Sequence, residues 1–227
     1  QGFQDSIIDD TIKARTGAFQ VHKVGYADAA EDDRLKFVLE DRDPRLAQLR
    51  ALPGIIAVAP RLSFQALLSN GRDSTLVLAS GVEMVQEAKV LPLAAGLIDG
   101  PQLAERNCVL GKELHSALVD KPGSGMTMQA ATARGRQNAL DLEAGGALNA
   151  AALLEGKRSA QVSMAFAREL VQLPGQSTEW LVSTDSRDSI DELAQQARDL
   201  LGPGYVVETW KQLRPAIQDV LTVQRIA

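Results

Sequence analysis

The side chains able to ligate, attack or titrate are few in this chain and stand far apart. Its two histidines, His22 and His115, have no second His or Cys at ligand spacing. A metal site needs three or four convergent ligands, so neither a metal nor a cofactor is expected. The single cysteine, Cys108, sits in the apolar run Asn107-Cys108-Val109-Leu110 and reads as a buried structural thiol. No G-x-S-x-G elbow supplies a nucleophile. Gly111-Lys112 is followed by Glu113 and Gly156-Lys157 by Arg158, without the upstream glycine of a phosphate loop. Asp9-Asp10 and Asp32-Asp33 lie in polar stretches and read as solvated faces. No catalytic residue is expected.

One segment has the chemistry of a contact site. Thr132, Arg134, Gly135, Arg136, Gln137 and Asn138 fall at the tip of an expected hairpin and present two guanidinium groups in an acidic chain. Arginine recognises carboxylates through planar multiple donors, and loop tips on rigid scaffolds are common contact sites. A solvated tip that serves only solubility is the competing reading.

The elements that would position these residues repeat one plan. The run Phe19 to Val24 reads as a strand, and Asp43-Pro44 starts a short helix with Asp43 as N-cap and Pro44 at the first position. Leu46, Leu49 and Leu52 line its face, Pro53-Gly54 stops it, and Ile55 to Ala59 returns as a strand. Much later, Trp180 to Ser183 is followed by Ser189-Ile190-Asp191-Glu192, the signature of a capping box. A helix striped with Ile190, Leu193, Ala194, Ala197, Leu200 and Leu201 follows, and Gly202-Pro203-Gly204 turns it into the strand Tyr205 to Trp210. Two strand–helix–strand units sharing a sheet give an α+β fold of the split βαβ, ferredoxin-like type. The expected division assigns residues 1–84 and 159–227 to that subdomain and 85–158 to a smaller β-rich insertion. Asn70-Gly71 marks a hairpin between Leu62 to Ser69 and Ser74 to Gly81. A second hairpin is expected from Met126 to Thr132 and Ala139 to Glu143, and a short helix near Lys112 to Leu118.

At 227 residues, 45% hydrophobic and 23% charged, the chain can bury a core without disulfides. The balance of 24 basic against 29 acidic side chains, with no basic run interleaved with aromatics, argues against nucleic acid as a partner. No apolar stretch approaches the ~20 residues that span a bilayer. Phe3, Ile7, Ile8 and Ile12 at one end, and Pro215, Ile217, Val220 and Leu221 at the other, have helical spacing without outer caps. The expectation is a helix continuing beyond each end.

Several runs together resemble the extracytoplasmic core domain of ABC-transporter permeases of the MacB, LolC/LolE and FtsX superfamily. They are Ser6 to Asp10, Thr16 to Lys23 with Gly25-Tyr26, Leu52-Pro53-Gly54 leading to Val58-Ala59-Pro60-Arg61, Gly81-Val82-Glu83, Val109 to Leu114, and Leu173-Pro174-Gly175. The general look is closest to the lipoprotein-release (LolC/LolE-type) permeases. The resemblance implies a domain at the periplasmic face of the bacterial inner membrane, inserted between two transmembrane helices. It implies a cytoplasmic ABC ATPase subunit, a second permease subunit in a homo- or heterodimer, and a periplasmic lipoprotein or carrier as possible partner. Lipoprotein release is the implied activity; FtsX-like control of a cell-wall hydrolase and MacB-like efflux are the alternatives. In lipoprotein-release relatives a protruding hairpin recruits the carrier. The corresponding tip here is short and carries no proline.

Overall fold

The computed structural model describes residues 2–149, 158–215 and 217. In chain order the elements are α1 (Gly2–Thr11), continued by a π-helical turn at Ile12–Thr16, β1 (Phe19–Lys23), a 3-10 turn (Glu31–Lys36), β2 (Leu39–Glu40), α2 (Pro44–Arg50), β3 (Ile55–Ser69) and β4 (Ser74–Val82). Then come α3 (Met84–Val90), α4 (Pro92–Ala95), β5 (Ile98–Asp99), β6 (Asn107–Gly111), α5 (Lys112–Leu118), β7 (Gly125–Ala131) and β8 (Gln137–Leu148). The last are β9 (Ser159–Ser163), α6 (Met164–Val171), β10 (Gln176–Ser177), β11 (Glu179–Thr184), α7 (Ile190–Leu201), β12 (Tyr205–Thr209) and α8 (Trp210–Leu213).

The strands order as β12-β1-β11-β3 in one half, every pair antiparallel. With α2 and α7 as the crossovers, this is the split βαβ arrangement that the two sequence units require. On one face Ala57 and Ala59 of β3 and Leu181 of β11 pack against Val90, Leu91 and Ala94 along α3 and α4. The main core lies on the other face. Phe19 and Val21 of β1, Trp180 and Val182 of β11 and Val58 of β3 pack against Leu46 and Leu49 of α2 and Ile190, Leu193 and Ala197 of α7. Asp43 caps α2 as its residue type demands, accepting from the Arg45 N–H at 2.9 Å, with Pro44 in the first turn. The capping box expected at Ser189 is not made. Ser189 is already in helical geometry, and its hydroxyl donates back to the Ser186 carbonyl (2.9 Å) and to Asp185. A capping box forms instead at Thr209 with Gln212.

The sequence splits residues 55–69 into two pieces, but they form one strand of 15 residues. Pro60 does not break it, because it falls where β3 exchanges neighbours. It faces Trp180 of β11 on one side, and pairing with β4 begins only at Arg61 on the other. Beyond that point β3, β4, β9, β6, β8 and β7 pair in a circle, with β7 returning to β3. These strands thus form a closed six-stranded barrel, with β5 added to the end of β8 beyond its pairing with β7. Alternate residues fill it: Leu62, Phe64, Ala66 and Leu68 of β3, Val77 and Ala79 of β4, Met126 and Met128 of β7, Cys108 and Leu110 of β6. Leu114 and Leu118 of α5, and Phe166, Ala167 and Leu170 of α6, complete this core. Gly81 lets α6 lie against the wall, since a Cβ there would stand 2.3 Å from Ala167 Cβ.

Side-chain packing therefore groups Leu62 to Ala79 and Ala160 to Leu173 with the inserted residues, whereas the sequence division cut at 85 and 158. The reason is that β3 belongs to both cores. At the base, Ile8, Ile12 and Ile217 pack on the same apolar cluster, and the Trp210 N–H donates to the Ala18 carbonyl at 3.0 Å, so the first and last described elements sit together. The expected Val220 and Leu221 stripe lies outside the described residues, as does 150–157.

Candidate functional site: a polar junction and cleft between the two cores

At the level where β3 passes from one core to the other, charged groups replace apolar ones. On the face opposite α2 and α7, alternation places Arg61 and Ser63 of β3 and Glu179 of β11 side by side. Arg61 pairs with Glu87 of α3, and both side chains are largely withdrawn from solvent, with 15% and 8% exposure. Burial opposes the charge on Arg61, but Glu87 and then Glu179 more than offset this, and its pKa is raised. Ser63 Oγ donates to Glu179 Oε1 at 2.7 Å, and the Ser63 N–H donates to Thr178 Oγ1 at 2.8 Å. Thr178 in turn donates to the Arg61 carbonyl at 3.1 Å. Tyr26 closes the group; burial and the nearby Glu179 push its phenol well above the ordinary value.

A second polar set spans the junction elsewhere. Arg168 of α6, in the barrel core, pairs with Asp41 just after β2, and Ser177 Oγ of β10 donates to the same carboxylate at 3.2 Å. Arg168 Nε also donates to the Gln176 carbonyl. The two cores are therefore joined by one continuous strand and by the Arg168–Asp41 pair, while the Arg61–Glu87 pair ties that strand to α3, whose Val90 packs with Ala57, Ala59 and Leu181.

Beside the Arg61–Glu87 clamp lies a half-open cleft of about 470 Å³. Its walls are the end of the π-helical turn, the Tyr26–Arg34 segment, α4, the end of α8 and the outer surface of the barrel.

The residues singled out from the sequence are not gathered here. Thr132 is buried, with its hydroxyl accepting from the Arg136 N–H, and the Asn138 amide donates to the carbonyls of Glu169 (3.3 Å) and Leu170 (2.9 Å). Together with the Ala133 N–H to the Val171 carbonyl, these bonds fold the β7–β8 tip back along the end of α6. β7 runs antiparallel to β3, so the tip points away from the Asn70–Asp73 turn at the end of β3. Arg134, Gly135, Arg136 and Gln137 are exposed, and neither arginine is ion-paired among the described residues. His22 is buried in β1 and stacks on Tyr26 with 4.8 Å between ring centroids, and His115 Nε2 lies 3.2 Å from the Gly145 carbonyl. Cys108 is fully buried, and burial pushes its thiol up to about 12. Among the described residues no three His, Cys, Asp or Glu side chains are grouped to hold a metal. Asp9 pairs with Lys13 and Asp33 with Lys36, both at the surface. Sequence reasoning missed Arg61, Glu87 and Glu179 as a group, because they are separated by long intervals with no motif spacing.

The family model for the MacB-like periplasmic core domain matches residues 1–200. The chain belongs to the MacB-like periplasmic core domain family. Among solved structures, the periplasmic region of MacB from Actinobacillus actinomycetemcomitans is similar in fold, with TM-score 0.59 at 13% identity, covering 94% of this chain and 98% of that one. The extracellular domain of YknZ, described as a noncanonic ABC-type transporter from Gram-positive bacteria, aligns with TM-score 0.55 at 14% identity, over 84% of this chain and 99% of that one. No curated protein matches the sequence. No helix among the described residues is long and apolar enough to cross a membrane.

Proposed function

We propose that this periplasmic core domain works as a stiff lever in an ABC-transporter permease. It transmits movement, generated by ATP hydrolysis in a cytoplasmic partner subunit, from its base to its far end, and it does no chemistry of its own. The observation that carries this reading is the 15-residue strand β3, built into both cores and held at the crossing by Arg61–Glu87, with Arg168–Asp41 tying α6 of the barrel to the segment after β2. A hinge would be expected to have few buried contacts and exposed backbone at that point; here the contacts are dense and buried. The first and last described elements share one apolar cluster, so motion entering through either would reach the same core.

For cargo, the resemblance suggests lipoprotein release, with a second permease subunit and a soluble carrier. The folded-back β7–β8 tip offers no protruding hook, and this favours the MacB-like efflux reading over carrier recruitment by that hairpin.

The test uses the full-length permease with its ATPase in lipid. Spin labels at Asp188, near the base, and Ser74, which starts β4 opposite Ser69 at the far end of β3, report distances within one domain and between two copies. Trapping the nucleotide state is expected to change the distance between copies while the Asp188–Ser74 distance stays fixed. A change within the domain, or none between copies, overturns the lever.

A further inference from the structure

The cleft beside the Arg61 clamp has a composition unlike the rest of the molecule. Four arginines, Arg15, Arg34, Arg61 and Arg214, line it against two carboxylates, Glu31 and Glu179, in a chain whose net charge is −5. Gln65 donates to Glu31 and Ser63 to Glu179, which also faces Arg61. Glu87 stands behind Arg61 as a third acid. Even so, the Nε–H groups of Arg61 and Arg34 are buried without an acceptor among the described residues. Buried donors left in this state cost free energy and call for an oxygen acceptor. Arg34 is held with its guanidinium over the Tyr26 ring, 5.4 Å from the centroid.

The rest of the lining mixes apolar side chains with the neutral polar Gln65, Ser80, Ser159 and Gln161. Its apolar members include Leu91, Ala94 and Leu148, all mostly buried in their own clusters, and Leu78, which is 47% exposed. From Leu78 an uncovered apolar strip continues over the barrel through Leu76, at 50%, and its cross-strand partner Leu67, at 39%. The volume of about 470 Å³ falls within the range of small-molecule sites, roughly 300–1,000 Å³. A guanidinium pole and apolar side chains in one cavity are complementary to a molecule with an anionic head and a hydrocarbon tail.

We propose that this cleft binds a small amphipathic anion, its carboxylate or phosphate head at Arg34 and Arg61 and its hydrocarbon part along Leu91, Leu148 and Leu78. The lever reading neither requires nor supplies this site.

The test titrates the 227-residue chain by calorimetry with octyl phosphate and octanoate, against inorganic phosphate, which lacks the tail, and octyltrimethylammonium, which reverses the charge. The two anionic amphiphiles are expected to bind saturably and at least ten-fold more tightly than either control. Arg34→Gln should weaken octyl phosphate about ten-fold without changing the melting temperature. Leu78→Ser, at a rim position where folding is not at stake, should weaken octyl phosphate and leave any inorganic phosphate signal unchanged. Equal binding of the cationic amphiphile, equal binding of inorganic phosphate, or no effect of either substitution overturns the proposal. Vesicles of anionic phospholipid separate the two sources of the ligand. Competition with octyl phosphate assigns the head to a bilayer lipid, and absence of competition assigns it to a free amphiphile; both outcomes support an anionic amphiphile site.

Discussion

The Arg61–Glu87 pair gives the sharpest test of the junction. Glu87→Leu leaves a buried guanidinium with only Glu179 nearby, and Arg61→Met leaves Glu87 and Glu179 buried without their cation. Removing one partner of a buried pair costs about 3–5 kcal/mol, because the other charge stays desolvated. The remaining Glu179 puts Glu87→Leu at about 3 kcal/mol, and the two facing acids put Arg61→Met near the upper limit, about 5 kcal/mol. The double variant replaces the charges of Arg61 and Glu87 with apolar contacts and leaves only Glu179, still held by the Ser63 hydroxyl, without its cation. It is expected within about 1–2 kcal/mol of the parent, since well-packed hydrophobic replacements of buried pairs are often neutral. The sum of the single effects would be about 8 kcal/mol, so the coupling is about 6–7 kcal/mol of opposite sign. Urea unfolding monitored by circular dichroism measures all four stabilities, with the slope m required to stay constant. In melting temperature each single variant should fall by several degrees, at about 2–4 °C per kcal/mol for a chain of this size. Raising the salt to 1 M should leave the differences nearly intact, as buried pairs are poorly screened. Single effects below about 1 kcal/mol, the range of exposed pairs, would show that water reaches the clamp and would refute the argument. Additive single effects would refute it equally.

Other predictions follow from local geometry. Gly81→Ala sets its Cβ 2.3 Å from Ala167 Cβ, an atom fixed to helix backbone that cannot swing aside, and should destabilise by roughly 1–3 kcal/mol in urea titration. Asp43→Asn keeps a good N-cap on α2 but removes the carboxylate. Burial opposes ionisation of Asp43, yet the Tyr205 hydroxyl and the Arg45 N–H hold its pKa below the usual value. A depressed folded-state pKa stabilises at pH above the unfolded value, so the parent should exceed the variant at pH 7, with the gap closing as pH falls through about 4 and below. Asn138→Ala should cost about 1 kcal/mol by loss of its bonds to the Glu169 and Leu170 carbonyls, whereas Arg134→Glu with Arg136→Glu should stay within about 0.5 kcal/mol in thermal unfolding. Cys108 should resist thiol reagents until the barrel unfolds, because it is fully buried and its thiol is pushed up to about 12.

Local chemistry was decisive wherever a few neighbouring residues set the outcome. Asp43-Pro44 fixed the start of α2, Asn70-Gly71 the β3–β4 turn, Gly202 the end of α7, and alternation of Leu and Ala the inward faces of the strands. From these the two βαβ units, and hence the α+β class, could be read directly. The Ser189 box failed because a turn already engaged that hydroxyl, a competition between neighbours that residue types do not reveal.

What only the tertiary structure decided depends on pairings across the chain. Closure of the barrel requires β7 to meet β3 and β9 to lie parallel to β4, and strand patterns specify which face is buried but not which strand is adjacent. The same holds for the site. Arg61, Glu87 and Glu179 are ordinary charged residues in the sequence; register brings Arg61 and Glu179 together, and the packing of α3 adds Glu87. Amino-acid order sets the period and the breaks of each element, while the energetics of burying charge are fixed by the neighbours that folding supplies.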